Sequence, residues 1–353
     1  MLKIYFGDNM VVTPKRRNYY QLRYFNIDYQ TTCPDLSSDA LIIALESRLL
    51  TPSDIPDVKL FTKFLNYSRE FIRQKLLDVN KIQIDVYSNE YIEETLQIMK
   101  NKGYTNKEIQ KAHFLMVDNL KTMRNPTHIN CFIKDEVYHK DKFNRLISAR
   151  NETARYSFIN MMHKVEEVFI NIFKDNLIKK RDKYEISAIT YEWSKMSDYY
   201  HTISDFSSYE SSINYDVLLA IEKYFIDSCV DFSETSKSWF DSHYSPYTTF
   251  IYSADLIKFK LPSMRNSGDV WTSFGNTLIN LCITNFICSE SKIEKFLFLV
   301  EGDDLYLVTD KEPDLRIYQD IGFHSKSETT RDPSKLDFLS KYVSVYEPLP
   351  IID

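Results

Sequence analysis

The segment Phe296–Val308 (FLFLVEGDDLYLV) constrains the fold of this chain more than any other. Two runs of apolar and aromatic residues flank the polar Glu301-Gly302-Asp303-Asp304, and strand-forming runs around a glycine-containing turn predict a β-hairpin. The turn holds three carboxylates in four residues, which repel one another unless a cation or a basic partner neutralises them. Oxygen ligands of this kind suit Mg²⁺. A Gly-Asp-Asp turn is also typical of ordinary protein surfaces, so the interpretation depends on partners elsewhere in the chain.

Composition limits the classes of function. The chain of 353 residues is long for one ordinary domain and carries a formal net charge of −6, so any polyanion site must be a local basic groove in an acidic protein. The five cysteines are scattered without a CxxC pair, which favours reduced thiols in a cytosolic setting over disulfides or zinc. The first residues, MLKIYFGDNM, lack the basic head and long apolar core typical of a signal peptide. No apolar run approaches the ~20 residues that a membrane helix needs, so we expect no transmembrane segment.

Apolar residues at helical spacing predict most of the helices. In the first 130 residues they indicate helices at Asp39–Leu50, Val58–Leu77, Glu93–Lys100 and Asn106–Met123, which we interpret as a helical scaffold without a functional motif. Further helices are expected at Glu152–Lys174 and from Ile213 onward.

The stretch Cys131–Arg150 places basic residues among strand-forming ones, with a turn expected near His139–Asp141. A hairpin there would align cations along one face, and such an array suits phosphates. The stretch taken alone favours the other interpretation, a solvated hairpin whose charges keep it soluble. The basic residues are Lys134, Lys140, Lys142, Arg145 and Arg150.

Acidic residues also fall at the predicted end of a strand. Tyr199–Ile213 begins as a strand and ends with serines typical of a helix start, so Asp205 would end the strand and Glu210 would lie about one turn into the helix after it. A rival acidic cluster comes next at Asp231–Asp241, which we interpret as a polar connection.

The stretch Asn266–Cys288 predicts a flexible Ser267-Gly268 loop that runs into a helix. Asn276 and Thr277 lie outside the apolar stripe of this helix. A loop of this kind can offer backbone N–H groups to phosphates and an adaptable wall to a substrate, although most Ser-Gly pairs are only turns.

The order of these features resembles the RNA-dependent RNA polymerases of positive-strand RNA viruses, most closely the tombusvirus-like and nodavirus-like branches. The resemblance covers about residues 131–345, and its pairing of SGxxxTxxxNT with GDD is highly specific. It is carried by Lys134–Arg150, Asp205–Glu210 (DFSSYE), Ser267–Thr277 (SGDVWTSFGNT), Gly302–Asp304, Gly322–Lys326 (GFHSK) and Leu336–Ser340.

The resemblance implies an α+β right-hand polymerase fold, with an antiparallel palm sheet backed by helices, helical or mixed fingers, and a thumb that is minimal or missing. We expect the fingers over residues 1–195, including the basic hairpin 131–150, and the palm over 196–346 with a fingers insertion around 228–262. Residues 347–353 would form a tail. Relatives carry a mostly helical thumb after the closing strand. In this chain we expect Leu336–Tyr346 to form that closing strand or a hairpin.

The same resemblance implies the site residues. Asp205, Asp303 and Asp304 would hold Mg²⁺, with Mn²⁺ as a substitute, and Lys326, in a basic loop, would protonate the leaving pyrophosphate. Spacing favours Asp205 over the rival cluster, because a helix and a return strand must fit before the Ser-Gly loop. Nucleotide-binding candidates are Lys134, Lys142, Arg145 and Arg150 for the triphosphate, Ser267, Gly268 and Thr272 around the loop under the template and nascent pair, and Glu210 and Asn276 for the ribose 2′-hydroxyl. Many relatives have Asp where this chain has Glu210.

The implied function is template-directed RNA synthesis from ribonucleoside triphosphates by a two-metal mechanism, with release of pyrophosphate. Implied partners are the RNA template and nascent strand, NTPs, and other replication proteins that supply membrane anchoring or a thumb. The implied location is the host cell cytoplasm at a membrane-associated replication complex. One alternative is a thumbless, non-catalytic module that binds RNA or assembles with a partner. Another is a reverse transcriptase, against which Gly302 before the two aspartates and Asn276 near a ribose hydroxyl both argue.

Overall fold

The structure is a computed structural model, which describes residues 4–6, 31–32, 44, 55–123, 127–134, 138–139, 145–206, 209–252, 257–338 and 341–342. Several sequence-based expectations fall outside these residues: the helix at Asp39–Leu50 apart from Ala44, the basic residues Lys140 and Lys142, and the tail 347–353.

Most described helices begin where a short polar side chain accepts a backbone N–H of the first turn, as Asp57, Ser88 and Thr105 do. The helices predicted near α1 to α4 and α9 are confirmed, whereas α5 was not predicted. The helices are α1 (Val58–Lys75), α2 (Asn89–Asn101), α3 (Asn106–Thr122), α4 (Glu152–Phe173), α5 (Lys183–Ser194), α6 (Tyr209–Ser212), α7 (Tyr215–Val217, a π turn at Leu218–Lys223, and Tyr224–Cys229), α8 (Glu234–Ser242), α9 (Thr272–Glu290) and α10 (Arg316–Asp320).

The described strands form two larger sheets and three strand pairs. The larger sheets have the orders β1-β10-β9-β4-β6 and β11-β12-β7-β13, and the pairs are β3-β8, β2-β5 and β14-β15. The strands are β1 (Ile4–Phe6), β2 (Thr31–Thr32), β3 (Ile82–Ile84), β4 (Ile129–Ile133), β5 (Tyr138–His139), β6 (Leu146–Arg150), β7 (Tyr200–Phe206), β8 (Val230–Phe232), β9 (Tyr247–Tyr252), β10 (Ile257–Pro262), β11 (Phe296–Glu301), β12 (Asp304–Thr309), β13 (Ser325–Thr330), β14 (Asp337–Phe338) and β15 (Lys341–Tyr342).

The five-stranded sheet joins distant parts of the chain. Strands β4 and β6 are antiparallel, with Ile129 opposite Arg150 and Ile133 opposite Leu146, which confirms the predicted basic hairpin. The β9-β10 hairpin joins this sheet through a parallel pairing of β9 with β4. Strands from residues 1–195 and from the segment around 228–262 therefore share one sheet.

The four-stranded sheet is antiparallel throughout, and β7 lies in its interior between β12 and β13. One face, which includes Val300 and Leu305, packs into the main hydrophobic core together with α9. On the other face, Tyr306 and Val308 pack with Ile178 and with partly buried side chains of α5. The predicted α+β class, with an antiparallel sheet backed by helices, is confirmed.

Two sequence-based expectations about local structure are wrong. The segment 231–241 is not a polar connection: it contains β8 and α8, because Ser233 caps α8 and the helix buries Trp239 and Phe240. Lys326 does not lie in a loop but on β13, because this segment completes the edge of the four-stranded sheet.

No helix in the part of the chain that the structure describes combines the length and the apolar character needed to cross a lipid bilayer.

Candidate active site

The predicted Gly-Asp-Asp hairpin is confirmed. Strands β11 and β12 pair up to Glu301 opposite Asp304, which leaves Gly302 and Asp303 as a two-residue loop. Gly302 has a φ of +61°, a left-handed conformation that strains other residues, and nothing lies within 4 Å of the position a Cβ would take there. The backbone conformation, rather than lack of space, therefore favours glycine at this turn.

Two side chains of helix α9 form hydrogen bonds with the backbone of this turn. The hydroxyl of Thr277 accepts the Gly302 N–H at 2.8 Å, and the Asn280 side-chain amide donates to the carbonyl oxygens of Gly302 and Asp303, each at 3.2 Å. The apolar stripe of α9 is buried as expected, but the helix is buried on nearly all sides, so Asn276 and Thr277, which lie outside that stripe, are buried as well. Sequence reasoning missed Asn280, although a polar residue within a largely apolar helix signals a buried group that needs a partner.

Strand register brings Asp205, Asp304 and Lys326 together. Lys326 lies directly opposite Asp205 across β13 and β7. Leu305 pairs with Ser204, so Asp304 lies beside Asp205 one position further along. Directly opposite residues of neighbouring strands share a face, so these three side chains and that of Glu301 form one row across the sheet. We call this row, which consists of the carboxylates of Glu301, Asp304 and Asp205 and ends at the cation Lys326, the acidic row.

The carboxylates of this site repel one another. Burial, together with the charges of Glu210 and Asp205, raises the pKa of Asp303. Burial, and then the charges of Asp303, Asp205 and Glu301, raises the pKa of Asp304 to about 6. Repulsion of this kind favours a bound cation, and carboxylate oxygens are the ligands that Mg²⁺ prefers. The carboxylate donors are therefore of the type that a divalent cation takes. Within the described residues, however, no three acidic, histidine or cysteine side chains are close enough together to hold one as they stand.

Helix α6 brings Glu210 next to α9. The hydroxyl of the buried Tyr209 donates to the backbone oxygen of Asn276 at 3.1 Å, so the residue before Glu210 is tied to the helix that carries Asn276. The Asn276 side chain is only 7% exposed, and its Oδ1 finds no hydrogen-bond partner among the described residues. A buried side-chain oxygen normally has a hydrogen-bond partner, so the unpaired Oδ1 of Asn276 stands out in this helix.

The Ser267-Gly268 loop is docked on strand β6 and is not freely flexible. The Gly268 N–H donates to the Ser148 oxygen at 2.8 Å, and the Ser148 N–H donates to the Ser267 hydroxyl at 3.2 Å. A Cβ at residue 268 would lie 2.9 Å from the Cβ of Ala149, so close approach requires glycine. Thr272 closes the loop, because its hydroxyl donates to the backbone oxygens of Asn266 and Asp269.

Arg150 lies in the interior rather than on the surface of the basic hairpin. Its Nε is 3.1 Å from Oδ1 of Asp269, and the two side chains are 9% and 2% exposed. Its guanidinium also lies over the ring of Trp271, 4.8 Å from the centroid. Lys134 and Arg145 face each other where β4 and β6 end, joined by the hydrogen bond from the Lys134 N–H to the Arg145 oxygen at 2.8 Å. Lys142 lies outside the described residues.

A second buried ion pair, between Arg265 and Glu222, lies against α9, and both side chains are 1% exposed. The Tyr244 hydroxyl donates to Glu222 at 2.8 Å. Gly275 leaves room for the pair, because a Cβ there would collide with both Glu222 and Arg265. Sequence reasoning missed this pair, for which a glycine in mid-helix was the only signal.

The rival acidic cluster does not join the site. Asp231 accepts a hydrogen bond from the Gln83 side chain at 2.9 Å, and Asp241 pairs with Lys223 at 2.7 Å and with Lys237. Neither is among the carboxylates whose charges raise the pKa of Asp303 or Asp304.

Comparison with known families agrees with the resemblance seen in the sequence. The chain belongs to the family of viral RNA-dependent RNA polymerases, whose sequence model matches residues 17–345. Membership makes it an RNA-directed RNA polymerase of viral RNA replication, with RNA and NTPs as the implied substrates. The polymerases of this family generally use divalent metal ions. No curated protein matches the sequence closely enough to be compared with it.

Proposed function

We propose that this chain catalyses template-directed RNA synthesis by a two-metal mechanism. The observation that carries the proposal is the convergence of Asp205 with Asp303 and Asp304, from two distant segments of the chain, at one end of one sheet. Two divalent cations bound there would stabilise charge on the attacking and leaving oxygens of the phosphoryl transfer. The three carboxylates would hold them, and Glu301 would add negative charge beside Asp304.

The four-stranded sheet with α9 then corresponds to the palm, over residues 196–346. The fingers would comprise residues 1–195 and the insertion around 228–262, and the sheet that β4 and β6 share with β9 and β10 supports this division. The motif SGDVWTSFGNT at 267–277 supports a tombusvirus-like or nodavirus-like origin.

The triphosphate would bind near Lys134 and Arg145, at the end of the basic hairpin. Arg150 would contribute through Asp269, since this pair ties the Ser-Gly loop to β6. Lys326 would donate the proton that the leaving pyrophosphate needs, and its pairing with Asp205 across β13 and β7 supports this role.

The ribose of the incoming nucleotide would lie between α6 and α9. Glu210 would accept the hydrogen of its 2′-hydroxyl, and the side-chain amide N–H of Asn276 would donate to the oxygen of the same hydroxyl, which has only one hydrogen to give. Ser267 and Gly268 would lie under the template and nascent pair.

The place of synthesis follows from the resemblance to positive-strand RNA virus polymerases. We propose that it is the host cell cytoplasm at a membrane-associated replication complex, to which other replication proteins supply the membrane anchor.

Single substitutions of the carboxylates test the catalytic proposal. Asp205→Asn and Asp303→Asn are expected to fold normally and to lower the rate of nucleotide incorporation on an RNA template by several powers of ten, at ~1.4 kcal/mol of barrier for each tenfold. The matched control is Asp231→Asn, an exposed aspartate outside the site, which is expected to be mild. A near-normal rate for Asp303→Asn would contradict the assignment of the active site to this sheet. So would a larger loss of rate in Asp231→Asn than in Asp205→Asn.

The same assay on the wild-type protein distinguishes the polymerase from the two alternatives, a non-catalytic module and a reverse transcriptase. A chain that binds RNA but incorporates no nucleotide with Mg²⁺ or Mn²⁺ would be the non-catalytic module. Preferential incorporation of dNTPs on RNA would indicate a reverse transcriptase.

A further inference from the structure

We propose that Thr277 and Asn280 are positioning residues that hold the Gly302-Asp303 turn, and with it the Asp303 carboxylate, in its working place before any cation binds. We call these two side chains the turn clamp. The inference rests on the proposed function of Asp303 as a metal ligand, but the clamp itself is a property of the metal-free protein.

The clamp engages three backbone groups of the loop. The Gly302 N–H bonds to the Thr277 hydroxyl, and the oxygens of Gly302 and Asp303 both bond to the Asn280 amide. The Thr277 hydroxyl donates its own hydrogen to the Ser273 oxygen at 2.7 Å, so its lone pair is directed at Gly302. Each residue of the two-residue loop is therefore fixed by a side chain of α9.

The clamp is rigid because its two side chains belong to a buried, closely packed helix. Asn280 is fully buried and Thr277 is 4% exposed, so the two clamp side chains are shielded from water, while the turn that they hold is half-buried. Helix α9 has core packing on nearly all sides and cannot follow a displaced loop. A glycine-containing turn between two strands has no such rigidity of its own.

The turn needs support because its own charges oppose it. Glu301, Asp303 and Asp304 are consecutive but for one glycine, and Asp205 lies beside Asp304. In the absence of a cation, their repulsion would spread the loop away from β7. The clamp opposes this movement with neutral groups, which leave the negative charge of the site unchanged.

Helix α9 thereby connects two parts of the site. Residues three and four positions apart lie on one side of a helix, so Asn276, Thr277 and Asn280 form one polar face in a largely apolar helix. Asn276 faces the proposed ribose position, and the other two hold the metal-binding turn. A shift of α9 would move both together.

Amide exchange at Gly302 measures the clamp directly. The chain has six glycines, so selective ¹⁵N-glycine labelling gives few backbone signals to assign. In metal-free protein, Thr277→Val keeps the shape of the side chain but removes the acceptor, and we expect exchange at Gly302 to accelerate roughly fivefold to tenfold. Thr277→Ser keeps the hydroxyl and should restore slow exchange.

A matched control lies two turns further along the same helix. Thr284 is buried like Thr277, but its hydroxyl bonds within the helix, to the Asn280 oxygen at 2.9 Å. Thr284→Val should leave exchange at Gly302 unchanged. Asn280→Ala provides a second variant should Thr277→Val not fold, and it should also accelerate exchange at Gly302 because the loop loses both carbonyl contacts.

Kinetics give the second measurement. Thr277→Val should lower kcat about tenfold and raise the Mg²⁺ concentration for half-maximal rate, while KM for NTP stays within about twofold of the wild type. Unchanged exchange at Gly302 in both clamp variants, or equal acceleration by Thr284→Val, would overturn the proposal. An inactive wild type would overturn the proposed function but would leave the exchange result to decide the clamp.

Discussion

At the scale of single residues, Arg150 has two properties that the sequence does not separate. It belongs to a basic stretch, and it ends β6, a strand in which Leu146, Ser148 and Ala149 are buried. The structure directs it inward, where Asp269 neutralises it and Trp271 stacks on it. Burial also raises the pKa of Asp269, against the opposing effect of the Arg150 and Arg265 charges. Arg150 therefore offsets part of the cost of burying the Asp269 carboxylate.

Arg150→Ala should accordingly destabilise the protein. The substitution leaves the Asp269 carboxylate buried without its nearest cation, which typically costs about 3–5 kcal/mol of unfolding free energy. Denaturant unfolding measures this loss, and Asp269→Asn in the Arg150→Ala background should recover part of it, because the uncompensated charge is removed. Arg145→Ala is the comparison, and it should raise KM for NTP with little change in stability. An Arg150→Ala variant of wild-type stability but raised KM would instead make Arg150 a direct triphosphate ligand.

Residue-scale prediction from sequence succeeded where the signal was local. Asp205 and Asp303 were assigned to a strand end and a turn because strand-forming runs flank them, and the structure places them there. Arg150 was taken for a surface cation because its partner Asp269 is distant in sequence. Asn280 was overlooked for the same reason, since its partners belong to the β11-β12 turn.

At the scale of elements, a hydrogen bond between α6 and α9 ties the residue before Glu210 to the backbone of Asn276. Tyr209 donates this hydrogen bond to the Asn276 oxygen. A site that hydrogen-bonds a substrate hydroxyl discriminates strongly against an analogue without it, because buried polar groups are then left unpaired.

Asn276→Ala should therefore reduce the use of NTPs far more than the use of dNTPs. The preference, measured as kcat/KM for GTP divided by kcat/KM for dGTP on one template, should fall by about tenfold or more, as expected for the loss of one buried hydrogen bond to a substrate. Ser273→Ala, an exposed serine side chain on the same helix, should leave the ratio unchanged. An unchanged ratio in Asn276→Ala would give Asn276 a structural role and leave sugar selection to other groups.

Elements with strong local patterns were predictable, and those that depend on tertiary contacts were not. The hairpins of β4 with β6 and of β11 with β12 follow from strand-forming runs around a turn. Helix α8 was missed because its buried Trp239 and Phe240 stand among serines and charges that resemble a loop. The π turn of α7 contains Glu222, whose partner Arg265 lies far along the chain.

At the scale of the whole molecule, the architecture depends on pairings that no local pattern encodes. The parallel pairing of β4 with β9 joins two hairpins from distant segments into one sheet. The order of β7 between β12 and β13 brings Asp205 beside Asp304 and Lys326. The α+β class and the antiparallel sheet backed by helices were expected from the resemblance to a known family, and the strand order within the sheet was not predicted.

The acidic row should make the stability of the metal-free protein sensitive to pH. Burial and the neighbouring carboxylates raise the pKa of Asp304 from 3.8 to about 6 in the folded protein. The folded state thus binds this proton more tightly than the unfolded state does. The resulting contribution to stability is fully present below the ordinary pKa and is lost as the pH rises through about 6.

Asp304→Asn should therefore raise the melting temperature of the metal-free protein at pH 8 by about 1–3 °C, since part of the repulsion is screened by solvent, and should raise it less at pH 5. Differential scanning calorimetry in EDTA measures both values, with Asp231→Asn as the control whose effect should not depend on pH in this way. Mg²⁺ should raise the melting temperature of the wild type at pH 8 more than it raises that of the Asp304→Asn variant. A ligand that binds only the folded state stabilises it, and the variant has lost one of the proposed ligands. If Asp304→Asn lowers the melting temperature at pH 8, or changes it equally at both values of pH, the carboxylates of the acidic row do not repel one another in the metal-free protein.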